Sequence, residues 1–322
     1  MPARKATREK AEPRRPKAAR AAALIVSAIA AVALLAWGAL SLTQSSAPAK
    51  SALGQAAYQH TRKLVELGPR EPGSAAHAEM EKYIAEQLRA AGFSVETDPF
   101  TVQTPAGPVQ MVNIVGKIHS RQRRIIALST HYDTKLERDF RFVGANDGGS
   151  GTGLLLALAP LLAKENLEHD VWLVFLDGEE TFASHEWNDA DALYGSRRLA
   201  AKWKADGTAS RVGAFILLDM IGDADLDIAY ESNSTAWLRD LVWNSAKKLG
   251  YSRYFTSNSM AITDDHVPLL QAGVPSLDII DLNFGPGNSY HHTANDTLDK
   301  VSARSLGIVG EVVLDALSHL DK

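Results

Sequence analysis

The sequence predicts an α/β protein with three layers, α/β/α, in which helices cover both faces of a central mixed, mostly parallel sheet. Three observations support this prediction. Short unbroken apolar runs such as 171–176 end at turn residues, as strands do when both of their faces are buried. These runs alternate along the chain with segments of helical periodicity, which is the pattern of parallel α/β proteins. Polar residues follow the strands directly, where open α/β sheets bind their ligands.

Helices are predicted where apolar residues recur at intervals of three and four residues. The segments with this spacing are 53–67, 75–91, 152–164, 193–203, 235–249, a short one ending at 271, and 303–320. The second begins after Pro72-Gly73-Ser74 and stops at Gly92, which are common start and stop signals. The third is largely apolar and follows the glycine-rich segment 144–151.

Strands are predicted from two different patterns. The first two alternate apolar and polar residues on either side of Pro105-Ala106-Gly107, which indicates a hairpin. The later ones are short apolar runs and indicate buried strands. The predicted strands are 93–102, 109–118, 125–129, 171–176, 214–218, 228–230 and 276–280.

The composition restricts the chemistry. The 322 residues include no cysteine, which excludes disulfides, a thiol nucleophile and thiolate zinc sites. Any metal must therefore be held by His, Asp and Glu. Residues 1–20 carry eight Lys or Arg against two Glu, so the remainder has a formal charge of −10 within a total of −4. An acidic domain of this kind argues against a nucleic-acid binder.

The N-terminal segment predicts a membrane anchor. Residues 21–42 are apolar apart from two serines and a glycine, and about 22 residues span a ~30 Å hydrocarbon core. The basic segment 1–20 is predicted to stay cytoplasmic while the catalytic domain, 53–322, is exported to the periplasmic or extracellular side after a linker over 43–52. The alternative is cleavage after Ala47-Pro48-Ala49, which would secrete the domain.

Polar side chains follow several of the predicted buried strands. They are His131, Asp133, Glu179, Glu180, Asp219 and His292, with Asp147 at the start of the glycine-rich segment before a helix. A single residue of this kind is usually a helix cap or a solvated turn. Together they are predicted to converge at one edge of the sheet, where they suit zinc.

Several motifs in this set are similar to those of the zinc aminopeptidase family that includes the glutaminyl cyclases. They are His131-Tyr-Asp133, Asn146-Asp147-Gly-Gly-Ser-Gly, Asp177-Gly-Glu-Glu180, Leu218-Asp219 and His292-Thr-x-x-Asp296, and the resemblance covers about 55–320. Four further segments resemble the cyclases more than the peptidases: His131-Tyr-Asp-Thr-Lys135, Phe142-Val-Gly-Ala145, Leu193-Tyr-Gly-Ser-Arg197 and Asp264-Asp-His-Val-Pro268. The resemblance implies a zinc-exopeptidase-like fold.

The resemblance also implies roles for individual residues. One zinc ion would be held by Asp147, Glu180 and His292, and Glu179 would act as general base and acid. Asp219 and Asp264 would hydrogen-bond near Glu179 and share a proton. In the peptidases the residues matching His131 and Asp219 hold a second zinc, the aspartate matching Asp147 bridges the two ions, and Asp264 has no counterpart.

The predicted substrate pocket contains the main departures from the cyclase pattern. His291 stands where the cyclases have a tryptophan, and Trp187 matches a pocket tryptophan at a spacing two residues longer. Ile262 and Phe284 are the other predicted pocket residues, with ordinary packing as the alternative role for each.

The resemblance implies that the chain cyclises the N-terminal glutamine of peptides or proteins to pyroglutamate and releases ammonia. The alternative enzyme is a two-zinc aminopeptidase that hydrolyses N-terminal residues. A third possibility is a membrane-tethered binding module without activity, which the complete ligand set argues against. The expected partners are peptide N-termini and the membrane.

Overall fold

Eight strands are present in the structure, a computed structural model that describes residues 52–122, 124–183 and 187–321. They are β1 (Ser94–Thr104), β2 (Gly107–Ile118), β3 (Ile125–His131), β4 (Asp170–Leu176), β5 (Val212–Asp219), β6 (Ile228–Glu231), β7 (Phe255–Met260) and β8 (Ser276–Ile280). Six of them form one sheet in the order β1-β2-β4-β3-β5-β8, and β6 and β7 form a second sheet. In the main sheet β4, β3, β5 and β8 are parallel, whereas β2 is antiparallel to both of its neighbours.

Seven helices surround the main sheet in the part of the chain described. They are α1 (Ala52–Leu67), α2 (Ala75–Ala90), α3 (Gly149–Leu162), α4 (Tyr194–Ala205), α5 (Ala236–Lys248), α6 (His266–Gln271) and α7 (Ala303–Leu320). Alternate side chains of β3 point to opposite faces: Ile126 packs in the same cluster as α1, α2, α3, α5 and α7, and Ala127 packs with α4 and α6. Apolar burial on both faces therefore builds the three predicted layers.

The predicted elements are present with small differences at their ends. β3 continues two residues beyond the predicted end, because its pairing with β4 extends to His131. α3 begins at Gly149, three residues earlier than predicted. β7 was not predicted: its central residues are Thr, Ser and Asn, and four of its six residues are exposed, so it has no apolar pattern.

The parallel strands explain the position of the predicted site. His131 is the last residue of β3, and Asp219 is the last residue of β5. Glu179 and Glu180 follow the end of β4 by a few residues. Because β3, β4 and β5 are parallel neighbours, these residues lie at one edge of the sheet.

Within the described residues, no helix combines the length and the apolar character that crossing a membrane requires. The predicted basic segment 1–20, anchor 21–42 and linker up to residue 51 lie outside the described residues. The residues described from Ala52 onward belong to one compact unit, Lys50–Lys322.

Candidate active site

Three predicted metal ligands face one another at the edge of the sheet. His292 Nε2 lies 3.3 Å from Asp147 Oδ2 and 3.2 Å from Glu180 Oε1. Both oxygens are buried and neither accepts a hydrogen bond. Bonds of ~2.0–2.1 Å at tetrahedral angles would separate two zinc ligands by about 3.3 Å. His292 thus has zinc-ligand spacing to one oxygen of each carboxylate that accepts no hydrogen bond, and all three side chains are of types that bind zinc.

The protonation of these side chains agrees with a cation-binding site. Burial would lower the pKa of His292, but Glu180 and Asp147 raise it to about 10. Burial would raise the pKa of Asp147, but contacts with His131 and His292 hold it well below its usual range. A proton on His292 thus balances the carboxylates, and a metal must displace this proton to bind.

A second group of possible ligands shares Asp147 with the first. His131 Nε2 lies 3.1 Å from Asp147 Oδ1 and 3.2 Å from Asp219 Oδ1. Asp147 therefore presents one oxygen to each histidine. Burial would lower the pKa of His131, but Asp219, Asp133 and Asp147 raise it well above its usual range. A second metal would therefore have to displace a proton from His131 to bind there.

The groups predicted to move protons form a buried acidic cluster. Glu179, Asp219 and Asp264 are 8%, 7% and 3% exposed and line the same cavity. Burial raises the pKa of Glu179 well above its usual range, and the charges of Glu180 and Asp264 raise it further. Burial and the charge of Asp219 raise the pKa of Asp264 to about 7. Burial also raises the pKa of Asp219. The cluster therefore retains protons near neutral pH.

Asp133 holds the loop that carries the two glutamates. Its carboxylate accepts hydrogen bonds from the backbone N–H groups of Glu179 at 3.2 Å and Glu180 at 3.3 Å. It lies 3.5 Å from His131 Nδ1, which makes no hydrogen bond. The main contact of Asp133 is therefore with the loop after β4 and not with the His131 imidazole.

Asp296 has the same function for the loop before α3. It accepts hydrogen bonds from the backbone N–H groups of Asn146 at 2.7 Å and Asp147 at 3.1 Å. The next residue, Gly148, has φ +68°, and a Cβ there would lie 2.7 Å from the carbonyl oxygen of Asp133. Glycine is therefore required where this loop passes close to the end of β3.

Arg70 binds the backbone of the loop before α3, and it was not predicted as a site residue. Its guanidinium is fully buried and donates to the carbonyl oxygens of Val143 at 2.6 Å and Gly144 at 2.9 Å. Its backbone N–H donates to Thr134 Oγ1 at 2.7 Å. No spacing in the sequence pointed to Arg70, because its partners are backbone carbonyls distant in the chain.

A cavity of about 500 Å³ opens over the acidic cluster. Its lining includes the predicted residues Trp187, Ile262 and His291, and also Met220, Thr263, Ile280, Leu282 and Asn288, which were not predicted. Trp187 is 41% exposed and lies at the mouth. The volume is in the usual range for small-molecule sites.

Phe284 does not line this cavity, contrary to its predicted position. Its side chain is fully buried and packs with Met220, Ile262 and Ile280 behind the cavity wall. The chain turns sharply at Gly285, with φ +72°, directly after Phe284. The Phe284 ring meets the Tyr290 ring edge-on, at 5.4 Å between centroids. Packing is therefore the role of Phe284.

Asp278 is a further acidic residue that the sequence did not indicate. It is fully buried in β8, and its pKa is raised well above its usual range by burial and by the charges of Asp264 and Asp219. It extends the acidic cluster behind the cavity. A single Asp within the apolar run 276–280 was the only sign of it.

Comparison with known proteins identifies the family. The profile of peptidase family M28 matches residues 113–317. A glutaminyl-peptide cyclotransferase of Drosophila melanogaster is 30% identical over 292 residues, covering 81% of this chain and 80% of the relative. The crystal structure of an Acidobacteriales bacterium glutaminyl cyclase has a TM-score of 0.79 and 44% identity, covering 86% of this chain and 99% of that chain.

A related peptidase structure is also similar. The crystal structure of a Zn-dependent exopeptidase from Parabacteroides distasonis has a TM-score of 0.74 and 26% identity, covering 82% of this chain and 97% of that chain. The predicted zinc-exopeptidase-like fold of the described residues is thus confirmed. The extent and identity of the cyclotransferase matches, together with the site geometry, show that the chain belongs to the glutaminyl-peptide cyclotransferases of peptidase family M28.

Proposed function

We propose that the protein converts the N-terminal glutamine of peptides and proteins to pyroglutamate and releases ammonia, with one zinc ion per chain. The observation that carries this proposal is the buried acidic cluster in which Asp264 lies beside Glu179 and Asp219. These groups hold protons near neutral pH, and a proton competes with a second metal at the same position. Proton transfer without an activated water is what cyclisation requires.

Asp147, Glu180 and His292 would hold the zinc ion, because His292 Nε2 lies at zinc-ligand spacing from one oxygen of each carboxylate and neither oxygen accepts a hydrogen bond. When bound, zinc supplies a Lewis acid that polarises the carboxamide oxygen of the glutamine side chain.

Glu179 takes the central part in the proton transfers. In its ionised form it removes a proton from the α-amino group, whose nitrogen attacks the side-chain carbonyl carbon and forms the ring C–N bond. The bond to the carboxamide nitrogen then breaks, and Glu179 returns the proton to that nitrogen, which leaves as ammonia. A raised pKa makes the Glu179 carboxylate a stronger base than an ordinary carboxylate. Asp264 and Asp219 keep a proton available beside it.

The cavity contributes by holding the substrate in a folded conformation. Ile262, Ile280 and Trp187 provide apolar lining next to the acidic groups, suited to the methylene chain of glutamine. Because attack occurs within one residue, bringing the amine and carbonyl together accounts for much of the rate enhancement.

The second candidate is an aminopeptidase with two metals. It is favoured by the proximity of His131, Asp147 and Asp219, whose ligand atoms lie within 4.8 Å of one another. Incubation with a Gln-initiated peptide and mass spectrometry distinguishes the two. A product lighter by one ammonia molecule supports the cyclase, and a product lighter by a whole residue contradicts it.

The predicted anchor is a separate part of the proposal. Residues 21–42 would hold the protein in a membrane with the catalytic domain exported, because a ~22-residue apolar segment binds by hydrocarbon burial. We expect detergent, and not high salt, to release the full-length protein from membranes. Recovery of a soluble mature form beginning near Lys50 would instead indicate a cleaved signal.

A further inference from the structure

His291 faces the cavity but is neither among the proposed zinc ligands nor in the acidic cluster. Its ring lies against that of His292, with 3.9 Å between centroids and 38° between planes. One of its ring nitrogens lies within 4.8 Å of ligand atoms of Asp147 and His292. His291 is therefore close to the place where the carboxamide oxygen of a bound glutamine must lie.

Asn288 determines which nitrogen of His291 carries the proton. The Asn288 side-chain oxygen accepts a hydrogen bond from the backbone N–H of Phe284 at 3.2 Å. This contact orients the amide so that its nitrogen, Nδ2, faces His291 Nδ1 at 3.2 Å. An amide nitrogen can only donate, so Nδ1 must accept. The imidazole is then neutral, and its proton is on Nε2.

The Asn288 contact is part of a fixed loop. Asn288 has φ +62°, and its backbone N–H donates to the carbonyl oxygen of Gly285 at 3.0 Å. A non-glycine residue in this conformation is uncommon, and asparagine tolerates it better than most residues. The loop therefore fixes the tautomer of His291 before any substrate binds.

We propose that His291 donates a hydrogen bond from Nε2–H to the carboxamide oxygen of the bound N-terminal glutamine. This assignment rests on the proposed function. Negative charge develops on that oxygen as the ring closes, so the bond becomes stronger in the transition state than in the bound substrate. A donor already oriented by Asn288 needs no rearrangement at that moment.

The same geometry opposes a direct role in metal binding. A metal ligand needs a free lone pair on nitrogen, but the lone pair of Nδ1 faces Asn288 and Nε2 carries a proton. Removing the His291 ring should therefore leave zinc affinity unchanged, whereas removing a zinc ligand would weaken it.

Three variants and a control test the assignment in the full-length, zinc-loaded protein with a Gln-initiated peptide. His291→Phe removes the donor, and His291→Gln keeps an N–H donor. Asn288→Asp replaces the amide donor with an acceptor, so at a pH high enough to keep the ring neutral the His291 proton should lie on Nδ1 and leave Nε2 without one. Ser289→Asp adds the same charge at the neighbouring exposed residue and serves as the matched control.

We expect His291→Phe and Asn288→Asp each to lower kcat on the order of 10²-fold, the usual effect of losing one such donor, with a much smaller change in KM. His291→Gln should stay within about tenfold of wild type, and Ser289→Asp close to it. Zinc affinity, measured by chelator competition, should be the same for wild type and His291→Phe.

Two-bond ¹H–¹⁵N correlation spectra provide a readout that does not depend on activity. They should show the proton of His291 on Nε2 in wild type and on Nδ1 in Asn288→Asp, with the signal assigned by its absence in His291→Gln. If His291→Phe does not fold, Asn288→Asp carries the test.

Three results would overturn the inference: a wild-type kcat in either Asn288→Asp or His291→Phe, a proton on Nδ1 in the wild-type protein, or a loss of zinc affinity in His291→Phe. Failure of the wild-type protein to form pyroglutamate would instead overturn the proposed function. The two failures are thus distinguishable.

Discussion

Replacing Asp264 with asparagine should reduce catalysis and increase stability at the same time. The Asp264 side chain is 3% exposed, and its Oδ1 accepts a hydrogen bond from the backbone N–H of Asp265 at 2.5 Å. Asparagine has nearly the same shape and can keep that bond through its carbonyl oxygen, but it cannot exchange a proton. We expect kcat for a Gln-initiated peptide to fall on the order of 10²-fold or more.

The stability change follows from the pKa of Asp264. Folding raises this pKa from 3.8 to about 7, so the wild-type protein loses stability as pH rises through this window. The shift corresponds to about 4 kcal/mol of unfavourable free energy once the carboxyl is ionised. Asparagine carries no charge, so Asp264→Asn should unfold at a higher temperature than wild type above pH 7, with little difference near pH 4.

The assay combines steady-state kinetics, zinc content and thermal unfolding at pH 4 and pH 8. Asp265→Asn is the matched control, because Asp265 is also fully buried with a pKa raised by burial, but does not line the cavity. It should gain stability while keeping most of the activity. Near-normal cyclisation by Asp264→Asn, or two zinc ions and release of N-terminal residues by wild type, would refute the reasoning.

Three further predictions concern the metal, pH and the supporting loop. Replacing a residue that only hydrogen-bonds a metal ligand usually weakens metal binding about 10–100-fold. Glu180→Gln changes a proposed ligand itself and should weaken zinc binding by more than this, as measured by chelator competition. Burial would lower the pKa of His77, but contacts with Asp177 and Glu81 raise it to about 10. The stabilisation that protonated His77 provides is therefore complete below pH 6.5 and is lost as pH rises to about 10. The difference in unfolding free energy between wild type and His77→Gln, measured in urea titrations, should shrink across this window. Arg70→Met leaves buried carbonyls without donors and should lower the free energy of unfolding by about 3–5 kcal/mol, also measured in urea.

The fold was predictable because its central strands are buried on both faces. The run 171–176 within β4 is apolar throughout, and its end at Asp177 is clear from the sequence alone. β7 lacked this signal, since only Phe255 is buried and the strand is recognisable only through its pairing with β6. Edge strands with polar residues depend on a partner that sequence periodicity does not reveal.

The site could be predicted where its residues lie at the ends of strands. His131 and Asp219 come directly from β3 and β5, so the topology fixes their proximity. Arg70 and Asn288 could not be found in this way, because both lie in loops. Arg70 binds backbone carbonyls, and Asn288 binds a loop N–H and the His291 ring. The predicted position of Phe284 in the cavity lining was wrong for a related reason. The direction of a loop side chain depends on turns such as the one at Gly285.

Asp147 links the proposed zinc site to the second group of ligands, and the charges around this link bear on the proposed number of zinc ions. Its Oδ2 faces His292, and its Oδ1 faces His131, 3.1 Å away. A second metal would require His131 to be neutral and Asp219 to be ionised. A raised histidine pKa is common to both positions, since the pKa of His292 is raised as well. The second position differs because burial disfavours the charge on Asp219 and raises its pKa. In the proposed one-zinc enzyme, Asp147 would keep Oδ1 for the His131 proton, and this proton would balance the acidic charge beside Glu179.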